Sequence, residues 1–200
     1  MARAVFAALA VALLTLTPVT AHAAQLSSVN VQESARLPAI QPSWPIPNDR
    51  NQIFYLQRSM NSNTVVYRVN FDAAGNINPR DPADVYWRRY NTDGVVKPLK
   101  RIEHIAFGVR SKARSTPGEY TVTLRRLPQL PMLLRQTGPG QAELLATIGG
   151  KTVRAVYAYV TLEGRGLNQR VASFSVHGID PASGRAVSET FAVKGGAIKP

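Results

Sequence analysis

Apolar and polar residues change places at every step over much of this chain, the two-residue period of a strand with one buried face. In Thr64–Phe71, Val65, Tyr67, Val69 and Phe71 share one side while Arg68 and Asn70 take the other. Asp84–Tyr90 puts Val85 and Trp87 on one face and Tyr86 and Tyr90 on the opposite one. Glu119–Leu127 sets Tyr120, Val122 and Leu124 against Thr121, Thr123 and Arg125. Ile53–Leu56 and Met132–Leu134 are short apolar runs, as in strands buried on both sides. Ala142–Ile148 and Lys151–Leu162 flank Gly149-Gly150, a hairpin link suited to positive φ. Arg170–Gly178 and Arg185–Val193 form a second hairpin around Asp180–Gly184.

One stretch departs from this rhythm. Leu99, Ile102, Ala106 and Val109 fall at helical spacing, and Pro98 suits a first helical turn, which predicts a short helix over Pro98–Gly108. Lys112–Gly118 then reads as a basic loop. The total is about nine strands and one short helix. Short links pair consecutive strands antiparallel. The expected fold is all-β, an antiparallel β-barrel or a two-sheet sandwich. No domain boundary interrupts residues 51–194, and the last residues, 195–200, are expected to be a disordered tail.

The N-terminus follows a different pattern. Arg3 precedes the almost wholly apolar Ala4–Leu16, Pro18 breaks the run, and Ala21-His22-Ala23 places small residues where a signal peptidase reads. Residues 1–23 are therefore expected to be a signal peptide cleaved after Ala23, with a periplasmic or secreted product. The apolar run falls short of the roughly 20 residues that a membrane span needs, and no later run replaces it. Residues 24–35 are polar and without period, which reads as a flexible tail. Leu37–Asn48 carries Pro38, Pro42, Pro45 and Pro47, an extended arm that Trp44 is expected to pin to the domain.

Composition narrows the chemistry. The chain has no cysteine, so its core stands without disulfides, and thiol catalysis, a lipid-bearing cysteine and cysteine-based zinc sites are excluded. Formal net charge is +12. Losing residues 1–23 would remove one Arg and no acid, leaving +11 (23 Lys and Arg against 12 Asp and Glu). Such a surface favours anionic partners. For an exported protein these are lipids, acidic glycans and small anions rather than nucleic acid.

Few residues look catalytic. His104 is adjacent to Glu103 on the predicted helix, where neighbours diverge. His177 shares a strand face with Ser173 and Ser175, but steps of two along a strand are about 7 Å, beyond the hydrogen bond a nucleophile needs. Asp180 and Glu189 are the acids nearest to it in the hairpin. Asp72, Asp81 and Asp84 suit turn capping better than a calcium shell. No cofactor or metal is expected. The stronger candidate is a basic–aromatic surface: Arg58, Asn61, Asn63, Tyr67, Trp87, Arg89 and Tyr90, with Arg68, Arg88 and Tyr86 interleaved. Arginine forks grip carboxylate or phosphate, and aromatic faces cover rings or acyl chains.

Four blocks carry a resemblance. They are Asn51–Ser59 with Asn63–Tyr67, Val85-Tyr86-Trp87-Arg88-Arg89-Tyr90, Ala106-Phe107-Gly108-Val109, and Val176–Asp180 with Ser183-Gly184 and Glu189. In order and spacing they resemble an exported bacterial group of unknown function, DUF family 4833. Phe107 stands where the family pattern has Tyr, which removes a hydroxyl. The resemblance implies an exported all-β domain and assigns no activity. The expected function is non-enzymatic binding of an anionic or amphipathic envelope ligand, such as a lipid or glycan. The alternatives are an unrecognised hydrolase using His177, or an envelope interaction module that docks by strand addition.

Overall fold

The computed structural model describes residues 25–38, 41, 43–164 and 170–194. The expected signal peptide and C-terminal tail lie outside them. The described chain forms twelve strands and one helix: β1 (Gln25–Ser34), β2 (Gln52–Arg58), β3 (Asn61–Val69), β4 (Ala83–Arg88), β5 (Val96–Pro98), α1 (Arg101–Phe107), β6 (Val109–Ala113), β7 (Glu119–Leu124), β8 (Leu127–Gly138), β9 (Gln141–Ile148), β10 (Lys151–Glu163), β11 (Arg170–Ile179) and β12 (Ala186–Lys194). All nine expected strands are present. The three additional ones are β1, where a flexible tail was expected, β5, and β6, which takes the start of the expected basic loop.

The strands form one branched sheet that does not close into a barrel, so the sandwich is the reading that fits. β10 is the pivot. Its first residues, Lys151–Arg154, pair antiparallel with β9. Tyr157–Val160 instead pair with β2, and in parallel. β11 runs along the other edge from Arg154 to Glu163. One half of the sandwich is therefore β5-β4-β3-β2-β10-β11-β12-β1, and the other is β9-β8-β7-β6. The β10–β11 register shifts between Ala155 and Tyr157, between the two pairing segments, and a bulge bends a strand. Gly178 faces this bend. A Cβ there would lie 2.6 Å from Val153 Cγ2 and 2.7 Å from the Arg154 carbonyl oxygen, so a larger residue would force β10 and β11 apart.

Alternation then fills the core. Phe54, Leu56, Val65, Tyr67, Val85 and Trp87 point inward from one half, and Val122, Leu134, Leu144 and Ile148 meet them from the other. On the opposite face of the first half, the described residues of the proline-rich arm lie over β4, β2 and β10. Proline lacks an N–H, but its carbonyls still accept. Gln52 Nε2 donates to Pro47 O at 3.0 Å and Gln57 Nε2 to Pro45 O at 3.2 Å. The Tyr157 hydroxyl donates to Pro38 O. Trp44 lies against Tyr159 with ring centroids 6.5 Å apart. Asp49 closes the arm, accepting from Arg88 and, at 2.8 Å, from the Tyr86 hydroxyl.

The helix differs from its expectation in extent and orientation. It begins at Arg101 rather than Pro98, because Pro98 is the last residue of β5. Leu99 is buried, but Ile102 is 54% exposed, and the half-buried side of α1 carries Glu103, Ala106 and Phe107.

Candidate functional site

Trp87 anchors the site. It is 1% exposed, in line with Val85 on the core face of β4, and Phe107 at the end of α1 meets it edge-on at 5.1 Å and 74°. Two residues past Trp87, Arg89 still points to the core side but has reached the rim of the sheet. Arg58, two residues past Leu56 on β2, does the same. Their guanidinium carbons lie 4.9 Å (Arg89) and 5.1 Å (Arg58) from the Trp87 ring centroid. Cation–π attraction to one indole draws together two like charges that would otherwise separate.

The charges are only partly balanced. Glu103 Oε1 stands 3.7 Å from Arg89 Nη2, while Glu103 Oε2 accepts the Lys100 backbone N–H at 2.7 Å. Arg58 makes no ion pair among the described residues. Burial, and secondly the neighbouring Arg89, press its pKa below the ordinary arginine value, against the pull of Glu103. Arg58 Nε and Trp87 Nε1 are buried and have no hydrogen-bond partner among the described residues. Buried donors are almost always satisfied, so unfilled donors on a cation that is only partly balanced call for an acceptor. A carboxylate or phosphate oxygen has that chemistry.

Of the seven residues singled out from sequence, Arg58, Trp87 and Arg89 come together here. Asn63 lies on the same face of β3 but is buried, and its Oδ1 accepts the Asn91 N–H at 3.2 Å. Asn61 turns its Oδ1 to the Asn63 N–H. Tyr67 lies in the core, where its hydroxyl donates to the Phe107 carbonyl at 2.9 Å and so ties β3 to the end of α1. Burial drives its pKa far above the usual tyrosine value. Tyr90 is on the other face, near Arg88 and Asp49. The interleaved cations there are already engaged: Arg88 with Asp49, and Arg68 with Asp84 at 2.9 Å. Sequence reasoning missed Glu103 and Phe107 as site members. The one available signal was an acid three residues after the helix entry, where it can reach back to the entry N–H.

The histidine alternative meets a different environment. His177 is 6% exposed and stacks on Tyr157, centroids 4.3 Å apart and planes 12° off parallel. Tyr157 stacks in turn on Tyr55 at 5.2 Å. Neither His177 ring nitrogen has a hydrogen-bond partner among the described residues. Ser175 Oγ pairs with Thr190 Oγ1, Asp180 caps its own turn, and Glu189 accepts the Gly149 N–H. Burial lowers the His177 pKa to about 4. Among the described residues no group of His, Asp and Glu is arranged to hold a metal, and no helix is long and apolar enough to cross a membrane.

Fold and site together define a bent, two-layer β-sandwich that carries a cationic–aromatic rim under a short helix. The chain matches the family described as Domain of unknown function (DUF4833) over residues 54–190, and it belongs to that family. The match runs from β2 into β12 and so includes Arg58, Trp87, Arg89, Glu103 and His177. No curated protein and no solved structure matches the chain.

Proposed function

We propose that this is a non-enzymatic binding domain of the bacterial cell envelope, exported by its N-terminal signal, that takes the anionic group of a lipid, glycan or small molecule at Arg58, Trp87 and Arg89. One observation carries the reading: two guanidinium groups share one indole, with a single carboxylate nearby and buried donors left unfilled among the described residues. A partly buried structural arginine is ordinarily neutralised by a carboxylate, as Arg88 is by Asp49. The net charge of +12 raises the local concentration of anions. Export makes lipid headgroups and acidic glycans the available partners.

The test is thermal unfolding in inorganic phosphate and in a short-chain phosphatidylglycerol, each matched in ionic strength by chloride. A ligand that binds the folded state raises Tm with concentration, by about 2.7 kcal/mol of stabilisation at a hundredfold excess over Kd. The rise should vanish in Arg58→Met and in Arg89→Gln while persisting in Arg114→Gln. An equal shift in all four chains, or none in the native one, would sink the reading.

A further inference from the structure

Large exposed apolar side chains are few among the described residues, and they are not scattered. Of the seven, Val95, Val96, Ile102 and Ile105 fall within eleven residues of sequence, each at least 40% exposed. A fifth, Met60, is in the β2–β3 turn next to Arg58. The contacts of Arg58 and Arg89 over Trp87, and of Arg89 with Glu103, bring that turn and α1 to the same corner of the sheet. Ile102 and Ile105 stand one turn apart on the face of α1 turned away from Phe107, and the described core supplies no partner for them. Isolated exposed aliphatics need no explanation, but a rimmed group of them marks a surface that meets something apolar.

The charges around them identify that something. Lys97, Lys100 and Arg101 are exposed within the same segment. Of the acids beside them, Glu103 is turned inward to the Lys100 N–H and to Arg89, and Asp93, which accepts the Val95 N–H and interacts with Lys97, offsets only part of the three charges. Aliphatic groups interleaved with long cationic stems suit a lipid interface, where the stems lie along the acyl boundary and the charges reach the headgroups. A protein interface core, by contrast, is depleted of lysine. We propose that this corner, formed by β5, α1 and the β2–β3 turn, docks the domain on an anionic phospholipid surface, with Ile102 and Ile105 entering the headgroup–acyl boundary. The outward face of α1 does this through residues separate from the Arg58–Trp87–Arg89 site, so the two assignments stand or fall apart. Docking would nonetheless turn that site toward the headgroups.

The absence of cysteine permits a position-specific test on the full chain. Ile105→Cys is labelled with an environment-sensitive fluorophore. Ala182→Cys, exposed in the β11–β12 turn beyond the opposite end of this half of the sandwich, is labelled as the control. The label reports its own surroundings, so partitioning by the apolar Ala4–Leu16 does not mimic the result. Vesicles of phosphatidylcholine mixed equally with phosphatidylglycerol should shift the emission at position 105 to the blue and cut its quenching by acrylamide several-fold. Phosphatidylcholine alone should not, and the label at 182 should respond to neither. Combining Lys97→Glu, Lys100→Glu and Arg101→Glu should abolish the response at 105 with the circular dichroism unchanged. The proposal is overturned if position 105 stays silent, if it responds equally to both vesicles, if position 182 responds as strongly, or if the triple charge reversal has no effect.

Discussion

Tyr157 and His177 lie ring on ring, 4.3 Å apart, on adjacent strands and on the face of the sheet that the proline-rich arm covers. The Tyr157 hydroxyl holds that arm at Pro38, and Tyr55 extends the stack on its far side. Protonating His177 would place an unpartnered charge in a buried aromatic layer. Its pKa accordingly falls from 6.5 to about 4, with burial the cause. The unfolded chain then binds the extra proton first. Stability is whole above about pH 6.5 and declines as pH falls toward 4, by on the order of 3 kcal/mol. Urea unfolding of the native chain and of His177→Phe between pH 7.5 and 4.5 measures this. The native midpoint should drop across that window and the variant's should stay nearly level. Parallel slopes would assign the acid sensitivity to other groups.

Asp49 joins the arm to the sheet by a different means. Its side chain is 10% exposed and accepts from both Arg88 and Tyr86. The Arg88 hydrogen bonds hold its carboxyl below the usual 3.8, with Tyr86 helping and burial opposing. Its contribution is therefore present above pH 3.8 and lost as pH falls below it. Asp49→Asn should cost about 2 kcal/mol at neutral pH, since it leaves a half-buried guanidinium unpaired. The loosened arm should also be cut faster by protease between residues 43 and 48. Unchanged cleavage would mean that the proline carbonyls alone hold it.

The three strands that alternation did not reveal are β1, β5 and β6, and each is an end of the strand order. An end strand has little core face, so nothing in its sequence need alternate. Every described side chain of β1 is exposed, as are all of β5 and all of β6 except Val109. The inner strands were legible for the opposite reason, since each of them feeds a packed interior. The same parity places Arg58 with Leu56 and Arg89 with Trp87, so half of the candidate site could be read from strand period alone. It also assigns Tyr90 to the other face, because Tyr90 is an odd number of residues from Trp87. Glu103 could not be found that way. It arrives on a helix whose docking depends on Phe107 reaching Trp87 and Tyr67, contacts that no local pattern encodes.

The β9–β10 hairpin gives a test of how β1 is held. Gly149 has φ of +55°, and a Cβ there would come within 2.5 Å of Val31 Cγ1 on β1. Gly149→Ala therefore carries two costs, left-handed backbone strain of about 1 kcal/mol and a clash with β1. Val31→Ala in the same chain should relieve the second cost and leave the first. A double-mutant cycle on unfolding midpoints separates them. A coupling near zero would place β1 farther from the hairpin than this contact requires.

Glu103 offers the sharpest separation between a structural and a binding role for the arginine pair. If Arg58 and Arg89 merely brace α1, the carboxylate is their partner, and Glu103→Gln should weaken the fold and do nothing else. If they receive an anion, the carboxylate also competes with it. Gln keeps an oxygen for the Lys100 N–H, so the helix entry survives. The loss of one partly exposed ion pair then costs only about 0.5–1 kcal/mol. With one negative charge gone, phosphate should bind about fivefold tighter, the change expected from removing a like charge a few ångströms away in a partly screened site. Unfolding midpoint and phosphate affinity should thus move in opposite directions in a single variant. Because the gain is electrostatic, it should shrink as sodium chloride is raised. If both quantities fall together, the pair is a brace.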